Sequence, residues 1–510
     1  MKATFLSAVL FLAVIKIYAQ EPADALRYSW LTQNGTARNQ AIGGAGASLG
    51  GEFSSLFINP AGLGFYKTNE LVITPGYAIK SFASDYKNSS ASSTSSNFNL
   101  GASGVLFSSY SPDRKIRGST FALGVNRIAD FNKNIYYKGL NTSSSYSEKF
   151  LEELRDNNVT DPGSAASDFP FGTSEAFNTY LIDTIQAPDG SVSGYRTQAD
   201  PSLGLLQENR VRSSGGITDL SGGFGINLKE KFYFGGTLSF SFLNYTRHAD
   251  YKESDASGVP DNNFNFFESI EYLNTNGIGI NAKVGMIYKP QEDIRLGVAI
   301  YTPTSYALTD KYSTQITTDL EGYGGSGIKT QSSFDLNDNN YLVSKYKLKT
   351  PFKFIVSGSY IFHAAQDVKQ QRGFITADVE YANYKGAKFK ANAGDDDAAK
   401  SYYSSLSDVI KTTYRNTINA RIGGEVKFNT YMFRLGAAYY GNPYQNETAS
   451  LYKASGGVGY RNKGMFIDLT YVYTITKDVH YPYMLEDKAN VPAYIKSDAG
   501  NVIITVGFKI

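Results

Sequence analysis

Phe232-Tyr233-Phe234-Gly235-Gly236-Thr237-Leu238-Ser239-Phe240-Ser241-Phe242 reads as a strand with two unlike faces. Successive strand side chains point to opposite sides. Phe232, Phe234, Leu238, Phe240 and Phe242 therefore share one face, and Tyr233, Thr237, Ser239 and Ser241 the other. Downstream, Ile278, Ile280, Ala282, Val284, Met286 and Tyr288 stand opposite Asn281 and Lys283. Ile294, Leu296, Val298 and Ile300 alternate with Arg295, Gly297 and Ala299, and Ile418, Ala420, Ile422, Val426 and Phe428 with Asn419, Arg421, Glu425 and Lys427. Many such segments run 11 to 16 residues, against about 5 or 6 for an ordinary strand. A tilted strand needs about 9 to 11 residues to cross a bilayer.

The connections alternate in length. Glu230, Pro290-Gln291, Asn429-Thr430 and Asn462-Lys463 make tight turns, whereas 130–214, 248–274, 305–350, 386–414 and 478–498 are long and polar. Short turns at one end and long loops at the other are the layout of an outer-membrane barrel, and long structureless loops do not suit a compact soluble domain. The fold class is all-β: a transmembrane antiparallel β-barrel of about 14 strands with an N-terminal hatch in its lumen. The strands are expected at 69–80, 96–109, 117–129, 215–229, 231–247, 275–289, 292–304, 351–364, 373–385, 415–428, 431–441, 451–461, 464–477 and 499–510. An even count puts both termini on the periplasmic side. The last strand aligns Val502, Ile504, Val506, Phe508 and Ile510 on one face, the kind of terminal strand that barrel-assembly machinery reads. Tyr110, Tyr288, Tyr301, Tyr360, Tyr381, Tyr439, Tyr440, Tyr460 and Tyr473 fall near strand ends, as an interfacial aromatic girdle would.

Composition agrees. The 510 residues hold 39 Tyr, 32 Phe and 49 Gly but 15 Pro and 1 Trp, which suits long strands with interfacial rings. No run of 18 apolar residues occurs, so helical membrane spans are excluded. Lys+Arg (49) nearly balances Asp+Glu (47), and nothing points to nucleic acid. The absence of cysteine removes disulfides, thiolate metal sites, thiol nucleophiles and a lipidated N-terminal Cys.

Met1-Lys2, the apolar run Phe5–Ile15 and Tyr18-Ala19-Gln20 read as a secretory signal cut after Ala19. The domain expectation is a signal peptide at 1–19, a hatch at 20–68 and the barrel with its external loops at 69–510. Within 20–68 lies the small, Gly-rich stretch Asn39-Gln40-Ala41-Ile42-Gly43-Gly44-Ala45-Gly46-Ala47-Ser48-Leu49-Gly50-Gly51, then Phe53-Ser54-Ser55-Leu56-Phe57-Ile58-Asn59-Pro60-Ala61-Gly62-Leu63. Small residues permit close backbone packing, and Asn-Pro favours a turn, so this segment reads as a compact plug.

At these residues the chain resembles the FadL/TodX family of outer-membrane transporters for hydrophobic compounds. The Gly-rich stretch (Gly43, Gly44, Gly46) and Asn59-Pro60-Ala61 match that family's hatch, whereas the very long loop 130–214 departs from it. The resemblance implies a fourteen-stranded barrel, capture of an apolar molecule by external loops, a pocket above the hatch, and release sideways or inward as the hatch moves. The transporter reading needs no cofactor and no covalent chemistry, and no metal-ligating residues are assigned. The expected partners are a hydrophobic small molecule, long-chain fatty acids first, outer-membrane lipids, and the assembly machinery during biogenesis.

Three loop segments have apolar residues at helical spacing: Phe150, Leu151 and Leu154; Phe177, Tyr180, Leu181 and Ile185; and Phe264, Phe267, Ile270 and Leu273. Tyr403, Leu406 and Ile410 repeat the pattern. These faces either form a capture groove or pack the loops over the barrel mouth. Inward-facing Lys283, Arg295, Arg421, Lys427 and Arg434 either meet a carboxylate head group or pair with Asp378, Glu380, Glu425 and Asp468. Arg295 and Arg421, with Phe150, Leu154, Phe177, Leu181, Phe264, Phe267 and Ile270, are the ligand-binding candidates.

Motif lookalikes are weaker. Gly46-Ala47-Ser48-Leu49-Gly50 matches a nucleophile elbow but lacks a preceding apolar strand. Gly44-Ala45-Gly46 lacks the third glycine of a dinucleotide loop. Asp335 to Asn339 resembles a calcium loop, with Asn340 in place of the turn glycine and Tyr346 in place of Glu. The rivals to transport are a general porin and a barrel that docks a protein in secretion. A haem receptor and an outer-membrane enzyme rank below them.

Overall fold

The computed structural model describes residues 22–363 and 372–510. The expected signal peptide at 1–19 lies outside them. The described chain forms a closed antiparallel barrel of fourteen staves. In order they are Glu70–Ile73 continuing as Pro75–Tyr86, Ser89–Leu100 continuing as Ser103–Tyr110, Ile116–Asp130, Leu205–Leu228, Phe232–Asp255 and Phe266–Tyr288. Next come Ile294–Tyr301 continuing as Ser305–Asp319, Leu342–Lys349 continuing as Lys353–Phe362, Gly373–Ala382 and Thr417–Phe428. Tyr431–Tyr440, Ser450–Asn462, Met465–His480 and Ala493–Lys509 complete the circle. Closure is by the last stave on the first, with Lys509 opposite Glu70 and Tyr494 opposite Asp85. The tight turns form where left-handed backbone is available, as at Lys229 (φ 56°) and Glu230 (φ 56°).

The wall has two zones. On Phe232–Asp255, outward Phe232, Phe234, Leu238, Phe240 and Phe242 are exposed while Tyr233, Ser239 and Ser241 are buried. That apolar run is about 33 Å along the strand, or about 25 Å in height at a tilt of about 40°, the thickness of a barrel's lipid-facing band. Above Phe242 the phase inverts: Leu243, Tyr245 and Tyr251 point inward into apolar clusters, and Asn244 and His248 point outward.

This inversion corrects the loop expectation. Strands Leu205–Leu228 and Phe232–Asp255 each have 24 residues, and Phe266–Tyr288 has 23. Much of 248–274, and parts of 130–214 and 305–350, are therefore strand rather than loop. Phe264, Phe267, Ile270 and Leu273 are not a helical stripe. Phe267 and Leu273 point inward from a strand, and half-buried Ile270 lies on its opposite face. The girdle is also corrected at two positions. Tyr301 and Tyr440 point into the lumen, where Tyr301 donates to the Ile58 carbonyl at 2.7 Å and Tyr440 accepts from the Gln33 amide at 2.8 Å.

A crown caps the wall. It comprises helices Glu148–Asp156, Pro162–Ser167 and Thr173–Asn178, and the hairpin Ile182–Gln186 with Val192–Thr197. Helix Asp397–Thr413 closes the mouth over inward Tyr346, Leu348 and Phe389.

Candidate functional site

The lumen is filled by the chain's own residues 22–66, held by local caps. Thr36 caps helix Ala37–Ala41 by accepting from the Asn39 amide. Asn59 caps the 3-10 turn Pro60–Phe65, whose first position is the proline that such an N-terminus tolerates. The Asn59 side chain also donates to the Ala47 carbonyl at 2.6 Å and to Val298 of the wall at 3.2 Å. One side chain thus joins both arms of the segment to the barrel.

Backbone approaches backbone at wall glycines. A methyl group on Gly235 would overlap the Pro60 carbonyl, and one on Gly436 would overlap the Gly43 amide. Inward strand glycines mark close backbone approach, and this was the sequence signal for the contact ring that pattern reading passed over. Wall polar groups satisfy the segment's amides and carbonyls. Asp378 accepts from Gly46 and Ala47 at 3.1 and 3.3 Å, Ser455 accepts from Gly43 at 3.2 Å, and Thr237 donates to Leu56 at 2.9 Å.

The inward charges form a paired network. Arg38 of the lumenal segment pairs with Glu425, which also accepts from Arg434 at 2.6 Å. Arg434 reaches Asp468 at 2.6 Å, and Arg421 donates twice to Glu380 at 3.1 Å. Arg295 donates to the Leu49 carbonyl and lies over the Phe65 ring. Arg295 and Arg421 thus bind the segment and the wall, and neither lines the cavity. Ser48, the elbow lookalike, takes a hydrogen bond from Ser357 at 2.7 Å. Asp335 is spent on a helix capping box.

The apolar candidates have a different fate. Phe150, Leu154, Leu181, Phe264 and Phe267 pack on one another with Ile316 and Leu320 as the core of the crown, and Phe177 borders it. Phe177 lies in helix Thr173–Asn178, but Tyr180 has a left-handed backbone (φ 60°) and ends the expected stripe. Beneath this core, Tyr28 joins Phe131, Tyr245, Tyr306, Tyr346 and Tyr403 in a second cluster, and the Arg27 guanidinium sits 4.6 Å from the Tyr245 ring centre.

Between this cluster and the compact part of the lumenal segment is a cavity of about 100 Å³. Tyr28, Phe57, Lys283, Tyr301, Lys353 and Glu380 line it, and Asn34, Asn126 and Ile128 form one side. That side is where the wall is interrupted. The second stave pairs with Ile116–Asp130 only from Ser103–Val125 to Tyr110–Gly118, and its upper half, Ser89–Leu100, is registered with Pro75–Tyr86. At the break the lumenal segment supplies partners. Asn34 donates to the Arg127 carbonyl at 2.6 Å, Asn126 donates to the Asn34 carbonyl at 3.4 Å, and Ala102 donates to the Gly35 carbonyl at 3.3 Å. Nothing in the sequence reading singled out Asn34, Gly35, Asn126 or Arg38, because their partners lie far away in the chain.

An apolar belt, a closed meander and a self-filled lumen define a transmembrane β-barrel plugged by its own N-terminal segment. The fold is that of the FadL/TodX barrels. A FadL homologue of Pseudomonas aeruginosa superposes with a TM-score of 0.54, covering 94% of this chain and 99% of that one at 12% identity. The toluene transporter TodX of Pseudomonas putida superposes with a TM-score of 0.52 at the same coverage and identity. No protein-family model matches the chain, and no curated protein matches it by sequence.

Proposed function

We propose that this protein carries hydrophobic small molecules, long-chain fatty acids first, across the outer membrane of a Gram-negative bacterium. The observation that carries the reading is a cavity beside a break in the barrel wall, with Asn34 and Gly35 standing in the break. In this reading residues 1–19 are a signal peptide, 20–68 a hatch and 69–510 the barrel. A molecule enters beneath the crown and reaches the cavity. It leaves through the break when residues 34–36 withdraw.

Transfer of an alkyl chain into such a site is favourable by about 0.8 kcal/mol per CH₂. Release then needs a second shape of the site, which movement of the hatch supplies. Lys283 and Lys353 give the cavity cationic groups, each already near a carboxylate: Asp219 at 3.6 Å and Glu380 at 3.8 Å. An anionic head group would exchange with these partners. The filled lumen argues against a general porin.

The test is uptake of labelled oleate by a bacterium lacking its own fatty-acid transporter and expressing this protein, beside a deletion of Asn59 to Ala61. Uptake that needs the intact motif supports the reading. Correct insertion without uptake would reject fatty acids as the cargo.

A further inference from the structure

The outer wall carries a cluster of lysines in a band above the lipid-facing belt. Strand Leu342–Lys349 turns Tyr346 and Leu348 inward, where both are 1% exposed, and so turns Lys345, Lys347 and Lys349 outward. Its neighbour Lys388–Lys390 buries Phe389 and turns Lys388 and Lys390 outward. The register sets Lys347 opposite Lys390 and Lys349 opposite Lys388. Lys311 extends the patch on the other flank, opposite Val343. All six lysines are exposed.

Directly opposed side chains in a sheet stand about 5 Å apart, and like charges there are destabilising. Ordinary surfaces relieve this with an interleaved carboxylate. Here none of the six ammonium groups has an ion-pair, hydrogen-bond or ring partner among the described residues. The nearby acids are engaged elsewhere. Asp310 points inward at 1% exposure, Asp395 accepts from the Asn392 amide, Asp396 caps helix Asp397–Thr413, and Asp397 pairs with Lys400. Edge protection by lysine does not account for Lys347 and Lys349, because Lys347–Lys349 is paired with a strand on both sides.

Height identifies the ligand. Below the patch the outward side chains are Phe352, Phe354 and Val356, with Tyr381 on the next stave, all exposed. Phe352 and Tyr381 are in ring contact at 5.9 Å. Lys349 lies three residues beyond Phe352, about 10 Å along the strand. The lysines therefore begin where the lipid-facing belt ends, at the level of the outer head groups. A grid of cations there matches a head group carrying more than one phosphate, since charge-assisted pairs to phosphate are among the strong polar contacts.

We propose that Lys345, Lys347, Lys349, Lys388 and Lys390, flanked by Lys311, bind the phosphorylated glycolipid head group of the outer leaflet. This rests on the outer-membrane reading above and is independent of the cargo. The ligand supplies the counter-charge that the chain omits.

The experiment uses the full-length protein in phospholipid nanodiscs. The probe is a glucosamine-disaccharide lipid with two phosphates, compared with the same lipid after dephosphorylation, and bound lipid is counted by native mass spectrometry. Expected is retention of the phosphorylated form only. At least a tenfold loss is expected in the combined variant K345Q/K347Q/K349Q/K388Q/K390Q, with rescue when the five are Arg. Without lipid, the Gln variant should melt no lower than the parent, because repulsion has been removed. Equal binding by parent and Gln variant, or equal binding of the two lipids, overturns the proposal. So does full competition by inorganic phosphate at the lipid's own concentration, which would make the ligand a free anion. Oleate uptake run in parallel separates this result from the transport reading, and failure to insert into nanodiscs at all would overturn both.

Discussion

Arg38 in the lumenal segment and Glu425 in the barrel wall face each other in a two-bonded pair, Nε and Nη2 of the arginine donating to the carboxylate oxygens at 3.1 and 3.2 Å. The pair joins a five-residue helix to stave Thr417–Phe428, which is remote in sequence. Without Arg38, Glu425 keeps Arg434 at 2.6 Å, so the cost falls below the roughly 3–5 kcal/mol of a buried charge left with no partner, but the tie between segment and wall is lost. Arg38→Met should therefore loosen residues 36–46 without opening the barrel. Hydrogen exchange is the measurement: faster exchange confined to 36–46 is expected, and unchanged exchange there would remove the pair from any holding role.

Backbone contact at Gly235 gives a steric test of the same segment. Gly235→Val places side-chain atoms where the Pro60 carbonyl lies, so the Pro60–Phe65 turn must shift. Asn59→Ala removes the donor shared by Ala47 and Val298 and should cost about 1–3 kcal/mol through the carbonyls left unpaired. Both variants should raise single-channel conductance in planar bilayers above the parent's. Conductance equal to the parent's would mean that the lumen stays closed without these contacts.

The break beside Asn34 can be locked chemically. The chain has no cysteine, so Asn34→Cys with Asn126→Cys introduces the only two thiols. A short bifunctional maleimide joining them should abolish oleate uptake, while each single variant treated alike should transport normally. Normal uptake after complete crosslinking would show that the cargo leaves by another route.

The crown should weaken as pH rises. Burial pushes the Glu175 carboxyl up to about 8, although Thr314 donates to it, and pushes Glu253 up to about 7 against donors from Ser145, Tyr251, the Tyr146 amide and Gln207. A carboxyl raised on folding binds its proton more tightly in the folded state. Its stabilisation is complete below pH about 4.5 and lost as pH rises through about 7 to 8. The loss is on the order of a few kcal/mol. Proteolysis of the crown should accelerate between pH 5 and pH 8.5, and Glu175→Gln should flatten that dependence. A slope unchanged by the variant would assign it to other groups.

The staves were legible because lipid outside and polar lumen inside impose a period of two on residues such as Phe232 to Phe242 and Ile278 to Tyr288. Each of the fourteen expected strands overlaps an observed stave. The upper wall was less legible. Above Phe242 the apolar side chains belong to the inner face, so the alternation changes phase, and Phe264, Phe267 and Leu273 then passed for a helix. Gly43, Gly46 and Asn59 stood out as a compact plug from small residues and a turn signal, but their partners Gly436, Asp378 and Val298 did not.

Local alternation, turn chemistry and the length of apolar runs are properties of neighbouring residues, and by themselves they determined a membrane barrel with a compact N-terminal segment. The pairing of Arg38 with Glu425, the interruption filled by Asn34 and Gly35, and the phase change above the belt depend on residues brought together by barrel closure. Only the tertiary structure decided them, because closure sets which staves meet across the lumen, and no local pattern encodes a contact between residues tens to hundreds of positions apart.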